Sequence, residues 1–234
     1  MSRWHWWFAA VCAPGLLLAP ALAQLAPSPE QVRQYRGLQA AAHKGDLAWL
    51  QDFTRTNGPA ATLLDTPDAQ GRTAVHIATF ARQREVIRAL ARAGANLELL
   101  ENDRYDAVTI AAVANDVNTL KVLLDLGASA KRVTSVYDGT ALIAAAHLGH
   151  AEVVQQLIGA GAPLNHVNNL HWTAMIESIV LGDGGVAHQK TLAALLAAGA
   201  STQLADRSGA TPLQLARARG YREMVQLLER AGAR

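Results

Sequence analysis

A short block of residues recurs along this chain about every 33 positions, and this repetition constrains the fold more than any other feature. The copies start at positions 73, 106, 140, 173 and 211, at intervals of 33, 34, 33 and 38 residues. They read TAVHIA, DAVTIA, TALIAA, TAMIES and TPLQLA. A Gly-Ala pair begins 21 residues after the start of four copies, but 26 residues after Thr173. The five extra residues indicate an insertion around 182–185.

The chemistry within one repeat predicts two short helices. The first residue of each block is Thr in four copies, and its hydroxyl can cap the N-terminus of an Ala-rich helix. A second helix has apolar residues at helical spacing, as in Val153, Val154, Leu157 and Ile158, before Gly161 ends it. Such a unit cannot bury its own apolar surface. The units must therefore stack on one another in an elongated solenoid.

These blocks resemble the Thr-Pro-Leu-His-x-Ala motif of the ankyrin family. Residues 211–213 and the pair Thr73 and His76 carry the closest likeness, and Gly149-His150 is similar to the family's Gly-His turn. The resemblance implies an all-α ankyrin-repeat solenoid of about six helix-turn-helix units with short β-hairpin-like loops. Three departures suggest units less stable than the family consensus: Asp106 at a capping position, and Arg82 and Asn115 at turn positions where the family has Gly.

The resemblance also predicts where the units begin and end. Residues 38–46 are similar to residues 144–150, so a first unit begins near Arg36. The predicted units lie near 36–68, 69–101, 102–135, 136–168, 169–206 with the insertion, and 207–234. The last unit has many charged residues in its second helix, as expected of a C-terminal cap. Residues 24–35, with Pro27 and Pro29, are predicted to be a linker.

The N-terminus has the pattern of a signal peptide. Arg3 supplies a positive charge, residues 8–18 form an apolar stretch, and Ala21-Leu22-Ala23 predicts cleavage after Ala23. The apolar stretch is shorter than the roughly 20 residues that span a bilayer. We therefore expect an exported protein, periplasmic or secreted, with no membrane insertion after cleavage. The alternative is an uncleaved anchor.

Composition and motifs exclude several functional classes. The net charge is +2 and no run of Lys and Arg could follow a phosphate backbone, so nucleic acid is not an expected partner. Cys12 is the sole cysteine, which leaves no thiol site after cleavage. We expect structural roles for His76 and His150, and His166 and His171 lack a third ligand for zinc. No catalytic motif occurs, so the sequence predicts no enzyme, no cofactor and no metal site.

The resemblance places a binding surface on the exposed end of each first helix and on the loop tips. The helix positions are Phe80, Val113, His147, Leu148, Val180 and Leu181, which would line a concave groove with mostly apolar side chains. The loop positions are Arg72, Tyr105, Tyr137, Leu170 and Trp172, which include residue types common in interface centres. Two alternatives remain open at this point: the insertion could cover Val180 and Leu181, or the register could slip by one residue.

These observations predict a monomeric scaffold that binds another protein. The resemblance to exported bacterial ankyrin proteins implies an accessory factor that assists or protects an envelope protein. In some relatives that partner is an antioxidant enzyme such as a catalase. The alternative is an inhibitor or immunity-type protein that blocks a partner's active site. Small-ligand binding would need a closed pocket, which a solenoid rarely forms.

Overall fold

The computed structural model describes residues 26–58 and 61–234 of the chain. The signal segment predicted for residues 1–23 lies outside the described residues. The elements in chain order are α1 (Pro29–Gln34), α2 (Gly37–Lys44), α3 (Leu47–Asn57), α4 (Ala61–Leu64), α5 (Ala74–Phe80), α6 (Arg84–Arg92), α7 (Ala107–Val113), α8 (Val117–Asp125), β1 (Val133–Thr134), β2 (Gly139–Thr140), α9 (Ala141–His147), α10 (Ala151–Gly159), α11 (Ala174–Val180), α12 (Val186–Ala197), α13 (Pro212–Ala218) and α14 (Arg222–Arg230).

Six helix pairs form a stack of two layers. The first helices, α2, α5, α7, α9, α11 and α13, each contact the next in that order. The second helices, α3, α6, α8, α10, α12 and α14, form a parallel row in the same way. Equivalent leucines of the second helices are fully buried in each of the last five units: Leu90, Leu123, Leu157, Leu195 and Leu228. The core is therefore continuous from unit to unit, and the predicted all-α solenoid is confirmed.

The first helices begin where the sequence predicts caps. The Thr140, Thr173 and Thr211 hydroxyls each accept the backbone N–H three residues later, at 3.2–3.4 Å. Asp106 does the same for α7, with its Oδ1 2.7 Å from Thr109 N. The Asp is thus a working cap in place of Thr, although its carboxyl group is almost completely buried.

The turns between paired helices need a left-handed residue. Gly149 has φ 71° there, whereas Arg82 and Asn115 adopt φ 57° and 50° at the corresponding positions. A side chain in this region costs backbone energy that glycine does not. The structure thus gives a physical reason for the lower stability predicted for these two units.

The segment predicted to be a linker contains a helix. Ser28 and Gln31 form a reciprocal capping box that starts α1, with Gln31 N 3.2 Å from Ser28 Oγ and Ser28 N 2.8 Å from Gln31 Oε1. Tyr35, directly after this helix, is buried in the core, and its hydroxyl lies 3.4 Å from Asp68 Oδ2. Val32 and Tyr35 therefore pack onto the core of the stack.

The five-residue insertion divides between a turn and a helix. The turn between α11 and α12 has five residues, 181–185, where the preceding unit has three, 148–150. The helix α12 has 12 residues, whereas α10 has nine. Two inserted residues thus lengthen the turn and three lengthen the helix.

The C-terminal unit ends the stack with a polar outer side. Its second helix, α14, buries Met224 and Leu228 against the preceding unit. The charged and polar residues predicted to face solvent are exposed: Arg222, Glu223, Gln226, Glu229 and Arg230. This arrangement closes the hydrophobic core at one end, as a capping repeat must.

Candidate protein-docking surface

The ends of the first helices form two rows of side chains on one side of the stack. The first row contains His43, Phe80, Val113, His147, Val180 and Ala218, and the second row, one residue later, contains Lys44, Ala81, Ala114, Leu148, Leu181 and Arg219. We call these twelve residues the groove face. All twelve are partly or largely exposed, and Leu148 is 41% exposed.

In the second to fifth units, the residue that precedes the first row belongs to the core. Thr79, Ala112, Ala146 and Ile179 are each at most 3% exposed. A slip of one residue would have exchanged these positions with the first row. The predicted register of exposure therefore agrees with the structure, and protein binding by these residues stays a prediction.

The insertion does not bury the groove face beside it. Val180 and Leu181 stay partly exposed. The turn after them is tied to neighbouring units instead: Tyr221 donates its hydroxyl proton to Gly182 O at 2.9 Å, and His188 Nε2 lies 2.9 Å from His147 O. His188 Nδ1 is also 2.8 Å from Asp183 Oδ1. The insertion thus connects three successive units along the edge of the groove face.

Hairpin loops form the other edge of this surface. The first residue of each loop uses a side-chain oxygen to accept the N–H four residues later. These residues are Asp68, Glu101, Ser135, Asn168 and Asp206. Backbone hydrogen bonds of 2.9–3.0 Å also join consecutive loops, from Asn102 to Gln70, from Ser135 to Arg104 and from Asn169 to Tyr137. The loop edge is therefore a connected structure and not a set of separate tips.

One tip differs from the others in its side chains. The residues at its apex are Val136 and Tyr137, which are 52% and 39% exposed. They lie between Ser135 and Asp138, which have φ values of 63° and 52°. Asn169 holds both apical residues from the next loop, through Nδ2 to Val136 O and N to Tyr137 O. The tip is thus a strained, fixed support for two solvent-exposed apolar side chains.

The remaining predicted loop residues differ in how exposed their side chains are. Tyr105, Leu170 and Trp172 are partly exposed beside the groove face, as expected of docking residues. Arg72 differs, because it is only 5% exposed and its guanidinium lies over the Phe80 ring, 5.2 Å from the centroid. Tertiary packing therefore makes Arg72 a support for Phe80 and not an exposed anchor.

A buried carboxylate lies beneath the groove face and was not among the predicted residues. Glu177, in α11, is 6% exposed, and its Oε1 accepts a hydrogen bond of 2.8 Å from Asn168 Nδ2. Its Oε2 lies 3.4 Å from His147 Nδ1. The sequence signal was available, since Glu177 stands where the other copies of the block have Ile, Ala or Leu.

His76 and His150 have structural roles within the stack, as predicted. His76 Nδ1 accepts from Thr73 N at 3.1 Å and its Nε2 lies 3.0 Å from Leu99 O, so the ring is neutral with its proton on Nε2. Burial lowers the pKa of His76 to about 4. His150 Nδ1 lies 3.0 Å from Ala112 O in the preceding unit. Across residues 26–58 and 61–234, no three His, Cys, Asp or Glu side chains form a group suited to a metal ion.

Comparison with family models identifies the repeats. A model described as ankyrin repeats in three copies matches residues 38–134, and a model of a single ankyrin repeat matches residues 137–169. The protein YahD of Escherichia coli, named as an ankyrin repeat protein, is 34% identical over 194 residues. That match covers 82% of this chain and 94% of YahD.

Solved structures show the same stack. An ankyrin repeat domain from Acinetobacter baumannii is 42% identical, with a TM-score of 0.78 over 84% of this chain and 98% of the other. A structure described as a predatory endopeptidase of Bdellovibrio bacteriovorus in complex with an immunity protein also matches, with a TM-score of 0.64 and 23% identity. This second match covers 84% of this chain and 98% of the other, and it concerns the fold alone. In the part of the chain that the structure describes, no helix combines the length and apolarity needed to cross a bilayer.

Proposed function

Because the chain belongs to the ankyrin-repeat family, we propose that it is a non-catalytic periplasmic scaffold that binds another envelope protein and assists or protects it. Ankyrin repeats bind other proteins, and in the described part of the chain no three His, Cys, Asp or Glu side chains form a group suited to a metal ion. The resemblance suggests an antioxidant enzyme such as a catalase as the partner.

One observation carries the proposal: apolar side chains are at least partly exposed in four consecutive units on one side of the stack. Phe80, Val113, Leu148 and Val180 all remain accessible, although soluble proteins normally place polar residues at such positions. Burial of each larger side chain by a partner would contribute about 1.5–3 kcal/mol. The half-buried Tyr105 and Trp172 lie at the adjacent loop edge.

The test is quantitative capture from a periplasmic extract of the source organism. Phe80→Asp with Leu148→Asp places two charges on the groove face, whereas Gln155→Asp with Gln226→Asp places two on exposed positions of the second helices. We expect the first pair to lose one specific protein that wild type and the second pair retain, with unchanged circular dichroism in all three. Equal recovery by all three baits would refute the groove face as the docking surface.

The periplasmic location needs its own test. The N-terminal pattern predicts that the exported protein starts at Gln24. Mass spectrometry of the protein from a periplasmic fraction should find this N-terminus. Detection, in a membrane fraction, of protein that still contains Arg3 would indicate an uncleaved anchor instead.

An inhibitor or immunity-type role is the second candidate. The fixed Val136–Tyr137 tip supports it, because a rigid apolar loop can enter an enzyme cleft with little loss of conformational entropy. If the captured partner is an enzyme, its activity and its stability distinguish the two candidate functions. Inhibition that Tyr137→Ser abolishes would support the inhibitor, whereas unchanged turnover with improved survival of the enzyme under stress would support the scaffold.

A further inference from the structure

The second row of the groove face has a regular order of side chains. Its four central members are aliphatic, and its two ends are the cations Lys44, in the first unit, and Arg219, in the last unit. Both end residues are exposed, and neither forms an ion pair among the residues that the structure describes. Arg207, exposed at the last loop tip, adds a further cation at the C-terminal end.

Several acidic groups between these ends already have hydrogen-bonding or ionic partners within the chain. Asp138 pairs with Arg104 at 3.1 Å, and Asp183 lies 2.8 Å from His188. Glu177 is held by Asn168 and His147 below the surface. Asp103, at the outer edge of the second loop tip, is exposed and is not among these partnered acidic groups. The groove face therefore presents an apolar centre with unmatched positive charge at both ends.

The distance between the two ends limits what can cover them. Five steps between adjacent first helices, at about 8–10 Å each, separate Lys44 from Arg219 by about 40–50 Å. An extended segment would need about 12–15 residues to connect them, at about 3.3 Å per residue. A helix would need about 30 residues, far more than the average helix of about 12.

We propose that the groove face binds an extended protein segment of about 12–15 residues with an apolar centre and an acidic residue near each end. This inference rests on the proposed function, since it specifies the partner of the same surface. The acidic ends would pair with Lys44 and Arg219, and the apolar centre would cover Phe80, Val113, Leu148 and Val180. Apolar burial would supply most of the affinity, and the end charges would set the register and direction of the segment.

The probe is a displayed library of random linear 16-residue peptides selected against the purified protein. We expect enriched sequences with aliphatic or aromatic centres and Asp or Glu separated by about 11–14 positions. For the best peptide, made synthetically, Lys44→Glu with Arg219→Glu should weaken binding at least about tenfold in fluorescence anisotropy. Arg230→Glu with Arg234→Glu makes the same charge change away from the groove face and should leave Kd within about twofold.

A charge exchange separates loss of pairing from loss of folding. A peptide with Lys at both ends should bind the Lys44→Glu, Arg219→Glu variant better than it binds wild type. Peptides that lose binding on Phe80→Asp with Leu148→Asp, but ignore the end charges, would overturn this inference and leave the proposed function intact. Absence of enrichment, or peptides that ignore Phe80→Asp with Leu148→Asp, would count against the docking surface itself.

Discussion

At the residue scale, His76 shows how one buried ring makes the stack sensitive to acid. Its folded-state pKa of about 4 lies below the ordinary value of 6.5, so the unfolded chain takes up the proton first as the pH falls. The stability that the neutral ring contributes is present above about pH 6.5 and is lost as the pH falls towards 4. By pH 5 the loss should be about 2 kcal/mol.

The chain itself offers the control substitution for His76. Gln214 occupies the equivalent position in the last unit, and its Oε1 accepts from Thr211 N at 2.9 Å. His76→Gln should therefore keep the cap while removing the titration. We expect urea unfolding, followed by circular dichroism, to show a smaller loss of stability between pH 7 and pH 5 than wild type shows. An equal loss in both proteins would assign the acid sensitivity to other groups.

Asp106 caps α7, but burial of its carboxyl group costs free energy of folding. Its carboxyl group accepts from Thr109 N, but burial raises its pKa, which means that the ionised form is disfavoured in the folded state. Asp106→Thr introduces the residue found in the other four blocks, removes the buried carboxylate and should stabilise the protein at pH 7. Asp106→Ala should be about 1 kcal/mol less stable than Asp106→Thr. The advantage of Thr over Asp should shrink as the pH is lowered, which denaturant titrations at pH 7 and pH 4.5 would measure.

At the element scale, the insertion depends on a glycine that cannot carry a side chain. A Cβ at Gly182 would lie 2.1 Å from Ser178 O in α11, a backbone atom that cannot move without unwinding the helix end. Gly182→Ala should therefore destabilise the protein by about 3 kcal/mol. Gly185→Ala is the matched control, since its Cβ would meet only the exposed Asp183 side chain, at 3.0 Å. Similar unfolding midpoints for the two variants would show that the turn adapts freely.

The elements that could be predicted are those whose causes are local. Thr caps and Gly terminators act within a few residues, so the six helix pairs and the position of the insertion follow from the sequence. The cause of the start of α1 is also local, because Ser28 and Gln31 have the spacing of a capping box. This signal was missed because the two nearby prolines suggested a linker. Arg72 could not be predicted, because its burial depends on Phe80, which lies eight residues later and contacts it only through tertiary packing.

The exposure of the groove face was predictable to the same extent as the repeats. The exposed rows follow from counting within each block, because every unit has the same geometry. The Glu177 network and the support of the Val136–Tyr137 tip join different units, through Asn168 and His147 in one case and Asn169 in the other. Contacts between units depend on how neighbouring loops approach one another, which a single repeat does not encode.

At the scale of the whole molecule, the linear arrangement of contacts predicts how the stack comes apart. Each unit contacts its neighbours, so a weak central unit should uncouple the two ends. Leu142, fully buried in the fourth unit, provides the test, because Leu142→Ala should cost about 2–5 kcal/mol. Three units would remain on its N-terminal side and two on its C-terminal side, and two repeats are too few to be stable alone.

Two tryptophans can report these ends separately. In the chain starting at Gln24, Trp49 lies in the first unit, stacked 5.0 Å from Phe53, and Trp172 lies in the fifth. With Leu142→Ala, the Trp172 signal, measured in a Trp49→Phe background, should change at lower urea than the Trp49 signal in a Trp172→Phe background. Leu228→Ala removes an equally buried leucine from the last unit, and the two signals should then stay close together. Coincident transitions with Leu142→Ala would mean that coupling between units exceeds the energy of any one unit, so the stack would unfold as a single body.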